Sequence, residues 1–240
     1  MDDIETILVE DQLRRKGFNL FSIMDPSQWS LDLRNSFESL DIDLPTDSRL
    51  ILLGAGGPAF WEIVHDRHWQ KKDPIDRYTI CAVEKLVDTE WGGKSIDWLY
   101  PGPKPIPLQR LCRYAGWSHP SLLGLDIHPI FGTWFACRAA FIIKIPLKCT
   151  PSKRNPSPCD ACLDKPCQGR CPAGAVRDRS EFGVEECGSH RVTDQSSCAH
   201  RCLSRSACPI GVSWHYSNEQ LDYHGSISLA SIKKNLPIKM

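Results

Sequence analysis

Leu122-Leu123-Gly124-Leu125-Asp126-Ile127-His128-Pro129-Ile130-Phe131-Gly132-Thr133-Trp134-Phe135-Ala136-Cys137-Arg138 is the stretch on which the fold reading turns. Apolar residues flank a turn carrying Pro and Gly, which predicts two strands, Gly124 to His128 and Thr133 to Ile145, joined through His128-Pro129-Ile130-Phe131-Gly132. Upstream, Leu50-Ile51-Leu52-Leu53 is a continuous apolar run ending at Gly54 and suits a buried strand. Further strands are expected at Phe18 to Met24 and Ile96 to Tyr100. Helices are expected at 4–16, stopped by Gly17, and at Leu31 to Leu40, Ala59 to Trp69, Pro74 to Val87 and Leu108 to Ala115. Pro101, Pro103, Pro105 and Pro107 keep the segment between them irregular. Interleaved helices and strands of this kind predict an α+β sheet domain.

Downstream, the composition changes at Lys148. Pro151, Pro156 and Pro158, with Ser152 and Ser157, read as a linker. The expected organisation is therefore a sheet domain over 1–148, a small Cys-rich domain over 149–225 and a loosely held tail over 226–240. The Cys-rich segment is poor in Leu, Ile and Val, so apolar burial alone does not hold it together.

The chain has 240 residues, with Lys plus Arg and Asp plus Glu both at 29, and a net charge of zero. That balance argues against a dedicated nucleic-acid protein, which carries a basic excess. No apolar run approaches the roughly 20 residues of a membrane span. The start, Met1-Asp2-Asp3-Ile4-Glu5, lacks the basic and apolar regions of a secretory signal. A cytoplasmic protein without a membrane segment is expected.

Twelve cysteines are then the informative number. Cys81, Cys112, Cys137 and Cys149 are scattered, while Cys159, Cys162, Cys167, Cys171, Cys187, Cys198, Cys202 and Cys208 crowd together. In a reducing compartment such density points to metal or redox chemistry. Cys159-x2-Cys162-x4-Cys167-x3-Cys171-Pro172 is close to the C-x2-C-x2-C-x3-C-P run of two-cluster bacterial ferredoxins, whose fourth thiolate reaches the other cluster. The second group, Cys187 and then Cys198-x3-Cys202-x5-Cys208-Pro209, also ends in Cys-Pro. Two 4Fe–4S clusters are expected, with Cys159, Cys162 and Cys167 joined by Cys208, and Cys187, Cys198 and Cys202 joined by Cys171. Zinc, disulfides and a single cluster remain alternatives.

Two short patterns are read as local structure. Gly54-Ala55-Gly56-Gly57-Pro58-Ala59 matches a dinucleotide fingerprint, but no acidic residue follows at the end of a second strand, so a tight strand-to-helix turn is expected. Asp126-Ile127-His128 with Gly132 approaches the Asp-x-His-x-x-Gly motif of His-ligated cobalamin, with one residue too many.

Taken whole, Leu122 to Arg138 resembles the core segment of the CblC-type cobalamin-processing proteins, which has the pattern His-Pro-x-Phe-Gly-x-Trp-Phe-Ala-x-Arg. Leu52 to Trp61, Asp73-Pro74-Ile75-Asp76 and Ile106 to Gly116 follow that family in order. A corrinoid domain followed by a two-cluster ferredoxin is similar to epoxyqueuosine reductases and reductive dehalogenases. The resemblance implies a flavin-nitroreductase-like α+β sheet with helices, followed by a ferredoxin-like iron–sulfur domain. It implies a corrinoid, with flavin as the other cofactor such a fold accepts. The positions matching corrinoid contacts are Ile106, Pro107, Leu108, Gln109, Asp126 and Cys137. His128 belongs to the same candidate set, with turn capping as its structural alternative. Arg138 matches an arginine near the thiol-substrate site. Phe131 and Trp134 would cover the macrocycle. Where epoxyqueuosine reductases carry an acidic proton donor, this chain has Pro103-Lys104-Pro105.

The expected function is an oxidoreductase in which two clusters pass electrons to a corrinoid, as in cobalamin reduction, decyanation or dealkylation. A redox partner protein or a small thiol would be the electron donor. The rivals are a non-enzymatic ferredoxin-type carrier without corrinoid and a zinc-stabilised interaction module. Arg170, Arg177, Arg179, Arg191, Arg201 and Arg205 are expected to offset the charge of thiolate-bound clusters.

Overall fold

In the computed structural model, residues 3–69, 72–153, 155–177 and 181–235 are described. The chain forms two units, and their composition differs from the contiguous domains expected above. One unit contains residues up to Trp117 together with Phe135–Arg154. The other contains Ser118–Trp134 together with the chain from Asn155 onward.

The first unit is α+β. Its sheet is antiparallel, in the order β1 (Leu20–Met24), β2 (Arg49–Gly56), β6 (Phe135–Ile143), β3 (Asp97–Tyr100). Leu50, Ile51, Leu52 and Leu53 are fully buried, as a continuous apolar run in a central strand should be. Because both neighbours of β2 are antiparallel, the glycines at its end serve no parallel βαβ unit. Gly54 instead admits the Trp117 ring, which a Cβ would meet at 3.0 Å.

Helices α1 (Asp3–Arg15), α2 (Leu31–Glu38), α3 (Ala59–His68), α4 (Pro74–Trp91) and α5 (Leu108–Tyr114) fall close to their expected places. Helix α4 opens with Pro74 at its first position and stops at left-handed Gly92. Its buried residues Ile75, Thr79, Ala82, Val83, Leu86 and Val87 recur at helical spacing. Each large apolar one contributes about 1.5–3 kcal/mol of burial. Phe18 and Phe60 meet at 5.1 Å, and Phe60 meets Tyr78 at 5.5 Å. The first part of the expected linker belongs to this unit. Thr150 N–H donates to the Ile23 carbonyl at 3.0 Å, and the Thr150 hydroxyl accepts from Ile23 N–H at 3.0 Å.

In the second unit the expected hairpin does not form. Asp126–Ile127 (β5) pairs with His119–Pro120 (β4), whereas β6 lies in the first unit's sheet. The chain closes on itself instead: His128 N–H donates to the Gly132 carbonyl at 2.8 Å and Gly132 N–H to the His128 carbonyl at 2.9 Å.

Ser118–Trp134 joins the Cys-rich segment through backbone approach and ring stacking. A Cβ on Gly132 would lie 2.1 Å from the Ile210 carbonyl oxygen, and one on Gly211 would lie 2.4 Å from the Phe131 carbonyl carbon. Both glycines have positive φ, at +59° and +80°. Phe131 meets Trp214 at 4.9 Å. The buried Trp134 ring takes the Arg205 guanidinium over its face at 4.1 Å, and His215 lies beside it at 4.3 Å.

The expected loose tail is also corrected. Helix α9 (Asn218–Asn235) runs through most of it, and 236–240 lie outside the described residues. Gly225 explains why it docks: a Cβ there would sit 2.0 Å from the His200 carbonyl oxygen. Arg191 fastens the helix by donating to Ser228 Oγ at 2.9 Å and to the Gly225 carbonyl at 3.3 Å.

Candidate metal centres and cofactor site

The eight clustered cysteines fall into two quartets, and the grouping is the crossed one. Cys159, Cys162, Cys167 and Cys208 line one cavity with Leu122, Ile127 and Ile210. Cys171, Cys187, Cys198 and Cys202 line another with Leu123, Phe182 and Tyr216. The two extra residues between Cys162 and Cys167 are accommodated outward. Leu163 is 92% exposed, and Lys165 turns left-handed into α6 (Pro166–Gly169) so that Cys167 rejoins the others. Cys208 follows α8 (Leu203–Ser206) by two residues.

Burial raises the thiol pKa of Cys159, and the neighbouring Cys208, Cys167 and Cys162 raise it further. Burial likewise raises Cys187, reinforced by Cys202, Cys171 and Cys198 against a lowering by Arg191. Thiolates packed this way repel one another unless a cation lies among them, which is the chemistry of a metal donor set. Cys171 differs. Burial works against its ionisation, but backbone N–H groups of Val176, Ala175 and Ala173 and the Ser204 hydroxyl bring its pKa down. Ala175 N–H reaches Cys171 Sγ at 3.3 Å, and Arg205 N–H reaches Cys202 Sγ at 3.4 Å. Among the described residues no three Cys, His, Asp or Glu side chains are close enough together to form a metal site as they stand. Both quartets are donor sets made of cysteine alone.

Four arginines of the second unit, Arg177, Arg191, Arg201 and Arg205, act as clamps, while Arg170 is exposed. Arg177 pairs with Glu186, Arg201 with Asp222 at 3.3 Å, and Arg191 donates to the Cys198 and Ala199 carbonyls at 3.2 and 2.8 Å. Arg205 donates to the Thr133 carbonyl and, at 3.3 Å, to its hydroxyl. Arg179 lies outside the described residues.

The candidate corrinoid set is divided between the units. Ile106, Pro107, Leu108, Gln109, Cys137 and Arg138 belong to the first, Asp126 and His128 to the second. Ile106 is buried and Gln109 exposed beside Pro107, which precedes α5. Cys137 and Arg138 sit at a bulge in β6, where the pairing shifts between Leu53 and Gly54. A bulge re-aims adjacent side chains. Here the Cys137 thiol donates to the Leu53 carbonyl at 3.5 Å, and the Arg138 guanidinium lies 5.0 Å from the Phe60 ring centre.

Two neighbours of that bulge were not among the candidate site residues: Asp76, which the sequence offers only as part of the Asp73–Asp76 block, and Tyr100, which no local pattern marks. Burial raises the Asp76 pKa, Arg138 counters it, and Asp73 adds to it. Burial also raises Tyr100, with Asp76 adding, Arg138 opposing and Cys137 adding. Arg138 Nε is buried without a hydrogen-bond partner among the described residues. A buried guanidinium donor with spare capacity fits a ligand that carries carbonyl or anionic oxygens.

In the second unit, Asp126 accepts from the Ser118 hydroxyl at 2.7 Å. His128 Nδ1 accepts from Ile130 N–H at 3.0 Å and Phe131 N–H at 3.2 Å, which caps the turn. Burial lowers the His128 pKa from 6.5 to about 4. A lowered value means stability that is present above pH 6.5 and lost as pH falls toward 4. The full loss is about 3 kcal/mol. In His128→Asn the amide oxygen keeps the cap without titrating. Urea denaturation midpoints measured from pH 7 to 4 should fall less steeply in that variant, and equal slopes would remove the histidine from the account. Phe131 and Trp134, the rings expected over a macrocycle, have neighbours of their own: His128 and Trp214 for Phe131, Arg205 and His215 for Trp134.

Comparison with solved structures matches this arrangement to two kinds of protein. A C. elegans B12-trafficking protein CblC, a homologue of human MMACHC, aligns over 93% of this chain and 91% of its own, with a TM-score of 0.52 and 13% identity. The epoxyqueuosine reductase of Bacillus subtilis aligns over 88% of this chain and 67% of its own, at 0.55 and 12%. That of Streptococcus thermophilus aligns over 86% and 66%, at 0.52 and 10%. The fold is common to all three. At these identities the likeness establishes fold and nothing finer. No protein-family model and no curated protein sequence matches the chain. Among the described residues no helix is long and apolar enough to cross a membrane.

Proposed function

We propose that this is an iron–sulfur redox protein, with two 4Fe–4S clusters in a ferredoxin-like domain passing electrons to a corrinoid held by the first unit. Cys159, Cys162, Cys167 and Cys208 would hold one cluster, and Cys171, Cys187, Cys198 and Cys202 the other. The observation that carries this reading is the crossed grouping of eight thiols, with a Cys-Pro step at each crossing. When bound, the clusters supply single electrons and the corrinoid a reducible cobalt.

The chain's own contribution is to hold and shield these groups. Apolar Leu122, Ile127 and Ile210 exclude water from the first quartet. Cys137, Arg138 and Gln109 offer polar contacts to a corrinoid, and Ile106 apolar cover. Free thiols throughout suit a reducing compartment such as the cytoplasm. A partner protein or small thiol would supply the electrons.

A second reading, a carrier without corrinoid, is favoured by one observation: His128, Phe131 and Trp134 are engaged within the second unit. Adding hydroxocobalamin to the anaerobically reconstituted protein separates the two. The proposal expects the cobalamin bands to shift with saturation, and Gln109→Ala to weaken that binding about tenfold. Unshifted bands at excess protein would leave the carrier.

A further inference from the structure

We propose, resting on the second quartet as a cluster site, that His190 donates its Nε2–H to a sulfur of that cluster and raises that cluster's reduction potential. Cys187 and His190 lie three residues apart on α7 (Val184–Arg191), so they share a face of the helix. Both line the cavity that also contains Cys171, Cys198 and Cys202.

His190 Nε2 is shut off from solvent and has no hydrogen-bond partner among the described residues. Buried N–H groups are almost always paired, and cluster sulfides and thiolates are the acceptors that this cavity would contain. The end of α7 that carries the imidazole is fixed. The His190 carbonyl accepts from Thr193 Oγ1 at 2.8 Å, and Arg191 ties the next residue to Ala199 and Ser228.

The two cavities differ in the respect that matters. The second has a volume of about 320 Å³ and places an imidazole beside its thiols. The first, of about 30 Å³, has no histidine on its lining. Of the other histidines at the second cavity, His200 faces Asp222 at 3.8 Å, and His224, whose Nε2 is also shut off from solvent, lies against Tyr223 at 5.2 Å and is off the helix that carries Cys187.

A hydrogen bond to a cluster sulfur stabilises the reduced, more negative state, so its loss lowers the potential. The test is a potentiometric titration, followed by electron paramagnetic resonance, of full-length protein reconstituted anaerobically with iron and sulfide. Wild type, His190→Ala and His190→Gln are compared. In His190→Ala one of two waves should move down by about tenfold in the reduction equilibrium, about 59 mV for a one-electron couple. The other wave should stay in place. The Gln variant, which keeps an N–H of similar reach, should recover most of the shift.

Both clusters present with both waves unmoved in His190→Ala would overturn the role of His190 while leaving the clusters standing. If His190→Ala retains only one cluster, His190→Gln decides. Two clusters at wild-type potentials support a donor, and one cluster overturns it. A wild-type chain that assembles no cluster overturns the proposal together with the reading it rests on.

Discussion

Gly132→Val is expected to destabilise the second unit by about 4 kcal/mol or more, the range reached when backbone strain and overpacking combine. Gly132 holds φ at +59°, which a β-branched residue tolerates poorly. A Cβ there would also lie 2.1 Å from a backbone oxygen, Ile210 O, and the chain at 210–211 would have to withdraw. Cys208 is only two residues away, so the first quartet should open at the same time. The measurement is urea denaturation beside anaerobic cluster uptake. The variant should lose both stability and one cluster's worth of iron, whereas wild-type behaviour in both would contradict the backbone clasp.

Cys208→Ala is expected to remove the cluster held by the first loop and to spare the one held by Cys187, Cys198 and Cys202. The partner substitution, Cys171→Ala, should do the opposite, although Cys171 sits in the first loop's sequence run. The expectation follows from the grouping of Cys208 with Cys159, Cys162 and Cys167. Losing one of four thiolates exposes an iron to solvent and to loss, so iron content should fall to about half that of wild type. Each variant should retain the spectrum that the other loses. Loss of the same cluster in both would contradict the crossed grouping.

Legibility in the sequence followed the physical origin of each element. Leu50-Ile51-Leu52-Leu53 announces a buried strand because burial on both faces demands a continuous apolar run. Pro74 and Gly92 bracket α4 because each meets a backbone need at a helix end. The grouping of the cysteines was legible because each run ends in Cys-Pro, which turns the last thiol away from its own loop.

What was hidden depended on tertiary approach. The turn at 128–132 closes on its own carbonyls because His128 Nδ1 accepts two N–H groups, and periodicity cannot register that. In the sequence Gly132 and Trp134 stand out only as parts of a motif. Their work includes backbone contact with Ile210 and stacking on Arg205, partners more than 70 positions away. The Ser-rich α9 shows no clear apolar stripe, and a small residue, Gly225, lets it dock. Asp76 and Tyr100 join Arg138 only through the sheet and α4.

The central claim, that two thiol quartets each hold a 4Fe–4S cluster, is tested most directly by counting iron and acid-labile sulfide in protein reconstituted and kept without oxygen. The account predicts a brown protein with about eight of each per chain, the sum for two cubanes. A colourless protein that takes up no iron and carries zinc instead would contradict it.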